Sequence, residues 1–481
     1  MKKSITENFV YSMLYQILVT ALPILTTPYT ARVLGLHANG IHSYTESIVT
    51  YFMLIGAVGT SMYGARKIAY ERDNPEKMTK TVWEIILLRF VLLGVTLIVF
   101  VATLCINNEY AYLYRIQIIN ILSTAIDLSW FYQGVEDFKK ITIRNTIVKA
   151  IYVICLFCFI KGPEDLPLYV ILIVGSAFLG NLFTWFYLKE YTVKGISYRS
   201  LHIFSHIKGS ITLFIPQIMN YVYALLDRSM LKWITNSTDK VGIYDQAQRL
   251  IRAVTAVLQS IGYVMMARIA NLQAGDNQEE IKYYIRKSTN FTLFLAFPVM
   301  FGLMGTAKDF IPLFLGGEYL GVIIVLQLLC PLVLTMSVNG ILGMQLLIPV
   351  GKEKDYAFAT TVGAVTNVLV NIITIPQIGI YGACVSSLLA EGVVFVISFV
   401  KSKDYLDIKQ IFKDNVIPFF VSIIMYFIVM KIQQIRLNIV WRLFFEILFG
   451  GGFYFICMLL SKNETMYLIK EKITQKVLKK Y

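Results

Sequence analysis

Apolar runs of about 20 residues recur along the whole chain, near 9–31, 41–65, 83–106, 110–132, 145–161, 166–188, 209–231, 242–267, 289–306, 318–341, 357–375, 379–400, 413–431 and 438–461. At about 1.5 Å rise per residue, a helix of that length crosses a hydrocarbon core of about 30 Å. The pattern predicts an all-α polytopic membrane protein with about fourteen transmembrane helices. Composition agrees. Of 481 residues, 57% are hydrophobic and 15% charged, where a soluble domain carries about 25% charged residues.

The cations orient the chain. With both termini in the cytoplasm, the inward loops near 66–82, 133–144, 189–208, 268–288, 349–356 and 401–413, together with the two tails, hold roughly 30 of the 44 Lys and Arg. The outward loops hold about seven, and a similar number lie in or at the ends of spans. The net charge of +14 is therefore chiefly a positive-inside signal with attraction to anionic membrane lipid, and it gives no reason to expect nucleic acid as a partner.

Several chemistries find no support. Lys2 and Lys3 precede an apolar run without a small-residue cleavage site, so the N-terminus reads as an uncleaved first span. Cys155 and Cys158 form a CxxC, but within the apolar IYVICLFCFI, where burial is the simple reading. The GK of PVGKEK lacks the upstream Gly and the following Ser or Thr of a phosphate loop. His202 and His206 stand four apart, a spacing that suits a metal or an interfacial amphipathic helix, and no carboxylate is near them in sequence. No enzyme activity, cofactor or metal is expected.

The chain contains an internal echo. GIHSYTESIVTYFMLIGAVGTSMYGARKIA from Gly40 matches GIYDQAQRLIRAVTAVLQSIGYVMMARIA from Gly242, with Arg66 and Arg268 at corresponding places. In the orientation above both segments run inward, as in parallel repeats related by an axis along the membrane normal.

TPYTARVLGLHANGIHSY, WFYQGVEDFKKITIRN, DRSMLKWITNSTDKVGIYDQAQRL, PVGKEKDYA and PQIGIYGACVSSLLAE resemble the Wzx-type oligosaccharide flippases of the multidrug/oligosaccharidyl-lipid/polysaccharide exporter superfamily, nearly end to end. The resemblance implies two six-helix lobes, about 1–188 and 209–400, around a central cavity. A cytoplasmic linker at 189–208 joins them, and two extra helices with a basic tail follow at 401–481. It also implies a bacterial cytoplasmic membrane and a cargo of undecaprenyl-diphosphate-linked oligosaccharide, moved from the inner to the outer leaflet by alternating access for capsule, O-antigen or other exopolysaccharide synthesis. Other polysaccharide assembly proteins would then be partners.

Helical spacing puts Asp245, Arg249, Arg252, Gln259 and Tyr263 on one polar stripe of a segment apolar enough to cross the bilayer. Arg252 falls about 15 Å from Gly242, near the midplane, where an ionised side chain is costly. One reading is structural: an Asp245–Arg249 pair, with Arg252 snorkelling or bonded to a carbonyl. The other is a wet cavity in which Arg249, Arg252 and, near the outer end of its span, Arg228 meet a diphosphate through planar forks of donors. Setting Gly40 on Gly242 places Ser43, Ser47 and Thr50 at the positions of Asp245, Arg249 and Arg252, so the first lobe would offer hydroxyls to sugar, with Gln259 and Tyr263 assisting.

Glu46, Asp245, Asp227 and Glu391 are candidates for gating or for coupling to a proton or sodium ion. Glu46 and Arg249 would lie at matching depth and could close an outer latch, unless Asp245 satisfies Arg249. Glu391 either binds the ion or bridges helices. The alternatives to a flippase are a drug or organic-cation exporter of the same superfamily, which would want acids deep in the first lobe, and a polytopic polysaccharide polymerase, which would want a large outward loop.

Overall fold

The computed structural model describes the backbone of residues 5–193, 201–260, 262–275, 277–461, 463 and 465–467, with side chains outside 5–21, 138–140, 213, 215–224, 262–264 and 267. These residues are helical almost throughout, and the large apolar side chains on outer faces, such as Ile98, Phe186, Phe412 and Ile447, are more than half exposed, as lipid contact requires. Among the described residues nine helices are long and apolar enough to span a membrane, or ten when the pair Gly321–Leu329 and Pro331–Leu347, bent by 40°, is one span. The difference from fourteen has identifiable causes. The first two expected spans run together in one continuous stretch, the fourth is cut at Asp127, much of the seventh lies outside the residues whose side chains are described, and the eighth falls in a helix that misses the required apolarity. The eighth misses it because its helix is as polar as it is apolar.

The chain divides into two compact units, Met1–Ser229 and Met230–Tyr481. This boundary lies inside a helix and downstream of the expected linker at 189–208.

In the first unit α1, Ile5–Ala57, breaks at Gly35, whose φ of 76° suits glycine. Asn39 spans the break, its Nδ2 donating to the Thr30 and Gly35 carbonyls at 3.0 and 2.8 Å. A second break at Val58 and Gly59, both at positive φ, leads into α2, Thr60–Glu71. Helix α3, Pro75–Leu104, starts with proline in its first turn under an Asn74 cap. It is followed by α4, Ala111–Ile126, α5, Ser129–Gly134, α6, Phe138–Phe159, and α7, Leu166–Leu188. Leu34, Val49, Phe100, Leu113, Tyr114 and Val170 form one core, and Ile68, Val82, Ile85, Trp130, Phe131 and Tyr132 a second.

The segment WFYQGVEDF builds that second core. Trp130 donates to the Asp127 carbonyl at 3.0 Å and Tyr132 to the Thr184 carbonyl at 2.5 Å. A Cβ on Gly64 would stand 2.5 Å from the Trp130 ring, so only glycine lets α2 approach. Outside the spans, burial first and then the Asp137 carboxylate to which it donates push the Tyr191 phenol well above its ordinary range.

The start of α8, Ile207–Thr235, belongs to this unit because side chains hold it there. His206 Nε2 donates to Glu84 Oε2 at 2.8 Å, its Nδ1 lies 2.9 Å from the Tyr63 hydroxyl, and the His202 N–H donates to Glu84 Oε1 at 2.7 Å. The carboxylate that sequence proximity does not supply to the two histidines comes from α3, and His206 is buried rather than interfacial.

The second unit begins with α9, Thr238–Gln259, and α10, Gly262–Ala274. Helix α11, Gln278–Phe314, packs against α13, Pro331–Gly340, against α16, Ile408–Ile432, and against α17, Ile439–Leu460. Helix α12, Gly321–Leu329, precedes the bend, and a π-helical segment, Ile341–Leu347, leads towards α14, Glu353–Ile378. Helices α14 and α15, Ile380–Ser402, form a hairpin about Gly379, at φ 59°. A Cβ on Gly382 would meet the Thr374 backbone at 2.5 Å, which explains the glycines of PQIGIYGA.

Candidate functional site

Helix α9 packs one side into the second unit. Val241, Tyr244, Ala247, Ile251 and Leu258 are buried, and α12, α13 and α15 lie against the helix. Polar groups secure it: the Tyr244 hydroxyl lies 2.8 Å from Ser387 Oγ, Gln248 donates to the Tyr244 oxygen at 2.8 Å, and Gln259 donates to the Met336 carbonyl at 2.8 Å. The other side is open and carries Arg249, Ala256, Val257 and Ser260, with Arg252 half-buried beside them. Where α3 and α17 are open they carry large apolar side chains such as Ile98 and Ile447; the open side of α9 adds two guanidinium groups.

The expected stripe therefore divides. Asp245 is fully buried, and its Oδ2 accepts from Arg249 Nε at 2.7 Å, while the Arg249 side chain stays 41% exposed. Gln259 turns inward to α13. Helix α9 ends at Gln259 and α10 begins at Gly262, and the Tyr263 side chain lies outside the described residues. The less buried side presents two guanidinium groups, whose forks of donors are suited to an anion.

In the first unit the row of hydroxyls is taken up by packing. Ser43 and Ser47 are buried. Ser47 Oγ lies 2.7 Å from the Tyr44 carbonyl and 3.0 Å from Ser229 Oγ, which also bonds the Tyr51 hydroxyl at 3.1 Å. Thr50 donates to the Glu46 carbonyl at 2.7 Å. Glu46 itself faces Arg228, at 3.6 Å, beside buried Asp227. Glu391 is buried on α15, where it accepts from Asn339 Nδ2 of α13 at 2.6 Å, a helix bridge.

Reading by sequence alone missed two buried clusters. Arg89 is fully buried and donates to Thr60 Oγ1, Ser61 Oγ and the Thr124 carbonyl at 3.2, 2.7 and 2.5 Å. Arg442 on α17 grips Asp309 on α11 through two bonds of 2.5 Å, with Glu446 buried nearby. Their signal was available: ionisable residues four apart in an apolar run, as Arg442 and Glu446 are, need partners on other helices.

A family described as polysaccharide biosynthesis protein matches residues 5–273, more than half of the chain. The chain belongs to that family. A curated relative from Shigella dysenteriae, named "Putative O-antigen transporter", is 25% identical over 385 residues, which is 79% of this family member and 96% of the relative. The solved structure of lipid II flippase MurJ, in its inward closed conformation, superposes with a TM-score of 0.74 at 16% identity over 95% of this chain and 99% of that one. A multidrug resistance MATE family transporter of the MOP superfamily, inward-facing, superposes with a TM-score of 0.61 at 11% identity over 84% of this chain and 99% of that one. The resemblance to Wzx-type flippases read from the sequence holds, and the family member has the polytopic helical fold of these transporters.

Proposed function

We propose that this protein is a flippase for undecaprenyl-diphosphate-linked oligosaccharide repeat units, moving them from the inner to the outer leaflet of a bacterial cytoplasmic membrane by alternating access. The observation that supports this most is the less buried side of α9, which carries both Arg249 and Arg252. A diphosphate is the anionic part of such a cargo and must pass the same depth. Guanidinium groups meet phosphate oxygens through paired charge-assisted bonds, which hold the head group without covalent chemistry. Asp245 holds the Arg249 guanidinium from the same helix, one turn away, with Arg252 on the next turn. On this reading the protein is a transporter and not an enzyme, and 1–188 and 209–400 act as the two lobes.

The test is deletion of the gene, with complementation by wild type or by Arg252→Ala, followed by an assay of leaflet accessibility of the lipid-linked repeat units. Units trapped on the inner leaflet in the deletion strain, and still trapped with well-inserted Arg252→Ala, support the reading. Units that reach the outer leaflet but stay unpolymerised would assign the chain to polymerisation instead.

A further inference from the structure

The cluster at one end of α11 and α17 lies away from the α9 face and has no part in the reading above. Asp309, on α11, is 1% exposed, and Arg442 of α17 binds it with both prongs of its fork, Nε to Oδ2 and Nη2 to Oδ1. That pair is complete in charge and geometry. Glu446, one turn along α17, is fully buried, and neither of its carboxyl oxygens receives a hydrogen bond. Its carboxyl lies against Asp309, Arg442 and Gln433. Gln433, the residue that follows α16, gives its amide to the Gly305 carbonyl at 2.5 Å. Of the other ionisable residues that the two helices packed on α17 carry near this end, Lys308 of α11 and Lys431 of α16 are exposed, and the Tyr426 ring of α16 packs beside Gly305.

An ionised carboxylate in such a place would be fully buried with a second carboxylate beside it and the nearby cation already engaged by that one. We propose that Glu446 is a proton-binding site: its carboxyl keeps one proton and hydrogen-bonds through it to the Asp309 carboxylate, so that the two carboxyls share one proton across the α11–α17 contact while Arg442 stays a charged guanidinium. A metal cation fits less well. Asp309 offers both oxygens to Arg442, which leaves Glu446 as the one carboxylate ligand and sets a fixed positive charge beside any ion. The arrangement is also a switch. Arg442 and Glu446 stand four apart on one helix, so a small shift of α17 along α11 that frees Arg442 from Asp309 lets it pair with Glu446, and the proton leaves. A conformational step that slides these helices therefore releases or takes up a proton, whatever the cargo.

The proton is sought directly in the full-length protein in lipid nanodiscs, by infrared spectroscopy in the region of the protonated carboxylic acid carbonyl at neutral pH. The expected result is a band that disappears in Glu446→Gln and survives in the surface control Asp404→Asn. It should disappear in Asp309→Asn as well, because Arg442 then turns to Glu446 and ionises it. A proton held only by the folded state stabilises that state by mass action, so raising the pH should lower the unfolding midpoint of wild type and leave that of Glu446→Gln unchanged. Identical spectra for wild type and Glu446→Gln overturn the proposal. So does a midpoint that follows sodium concentration instead of pH, which would assign a metal ion. A band that persists in a folded Asp309→Asn overturns the shared proton; if that variant does not accumulate, the Glu446→Gln spectrum and its pH profile decide. None of these readouts depends on transport, so their failure leaves the flippase reading standing, and its failure leaves them standing.

Discussion

The second half of α1 and helix α9 echo one another in sequence, yet the fold uses them in opposite ways. In α1 the positions Ser43, Ser47 and Thr50 fall on a side that is buried or closed by local bonds: Ser47 sits against Ser229, and Thr50 bonds its own backbone. In α9 the matching positions are Asp245, Arg249 and Arg252, and the two arginines stand on the less buried side, with the acid tucked beneath one of them. A short hydroxyl finishes its hydrogen bonding within reach of its own turn, so a helix can pack over it at little expense. A guanidinium cannot, because its five donors and its charge need either several partners or water. Side-chain size and valence thus decide which of two related helices packs its polar row away and which keeps it available. The proposed sugar contact is left mainly to Thr50, the least buried of the three hydroxyls.

The strongest challenge to this contrast is Arg252→Ala. Loss of a charge-assisted contact of about 1.5 to 3 kcal/mol lowers transport by roughly tenfold to a hundredfold. Arg252→Lys should keep part of the activity, since charge remains without the fork. Thr50→Ala, its counterpart, should change transport less than threefold. Rates of repeat-unit appearance in the outer leaflet, normalised to inserted protein, separate the two, and equal losses would end the distinction between the helices.

Enlarging the buried row comes next. Ser47→Leu puts extra volume into a packed contact and should destabilise by about 1 to 3 kcal/mol. The deficit should show as a lower unfolding midpoint and poorer accumulation, with near-normal transport per folded molecule. A well-folded Ser47→Leu with transport abolished would instead mean that Ser47 meets the cargo.

Asp245→Asn tests the other helix more gently. It removes the carboxylate that neutralises Arg249 and leaves that arginine solvated, so the expected cost in stability is about 1 kcal/mol. The positive face gains strength, and titration of the purified protein with a soluble diphosphate should show tighter binding than wild type. Weaker binding would mean that Asp245 orients Arg249 more than it offsets it.

The smallest effect should come from the Glu46–Arg228 pair. At 3.6 Å and with Glu46 37% exposed, solvent screens it, and a double-mutant cycle of Glu46→Gln with Arg228→Gln should give a coupling of about 0 to 1 kcal/mol. The proposed outer latch between Glu46 and Arg249 competes with the bonds seen to Arg228 and Asp245. Cysteines at 46 and 249 that cross-link reversibly and block transport would support the latch, and failure to cross-link in any transport state would remove it.

How far this was legible in the sequence can be followed residue by residue. The motifs that bear the family resemblance are largely places where helices start, stop or turn. Gly35 breaks α1, Trp130 to Tyr132 lock α5 into the core, and Gly351 and Gly379 adopt positive φ. Such sites show in one chain because glycine, proline and buried aromatics are needed locally. The ion pair of Asp245 and Arg249 was readable for the same reason, being one helical turn apart. The partner of His206 was not, because Glu84 lies 122 residues upstream. Nor was the grip of Arg442 on Asp309, 133 residues apart.

The sequence by itself determined the helical membrane-spanning class, the family, the positive face as a chemical possibility and the approximate place of most long helices. These follow from local hydrophobicity and backbone propensity, which each segment expresses without its neighbours. Only the tertiary structure decided that α9 turns Arg249 outward and Asp245 inward, that Ser47 is spent on Ser229, that α8 begins in the first unit, and that Glu446 is sealed against Asp309. Each depends on which distant helix arrives alongside. A helix offers every side of itself equally until packing closes some of them, and the burial of charge is a property of that closure.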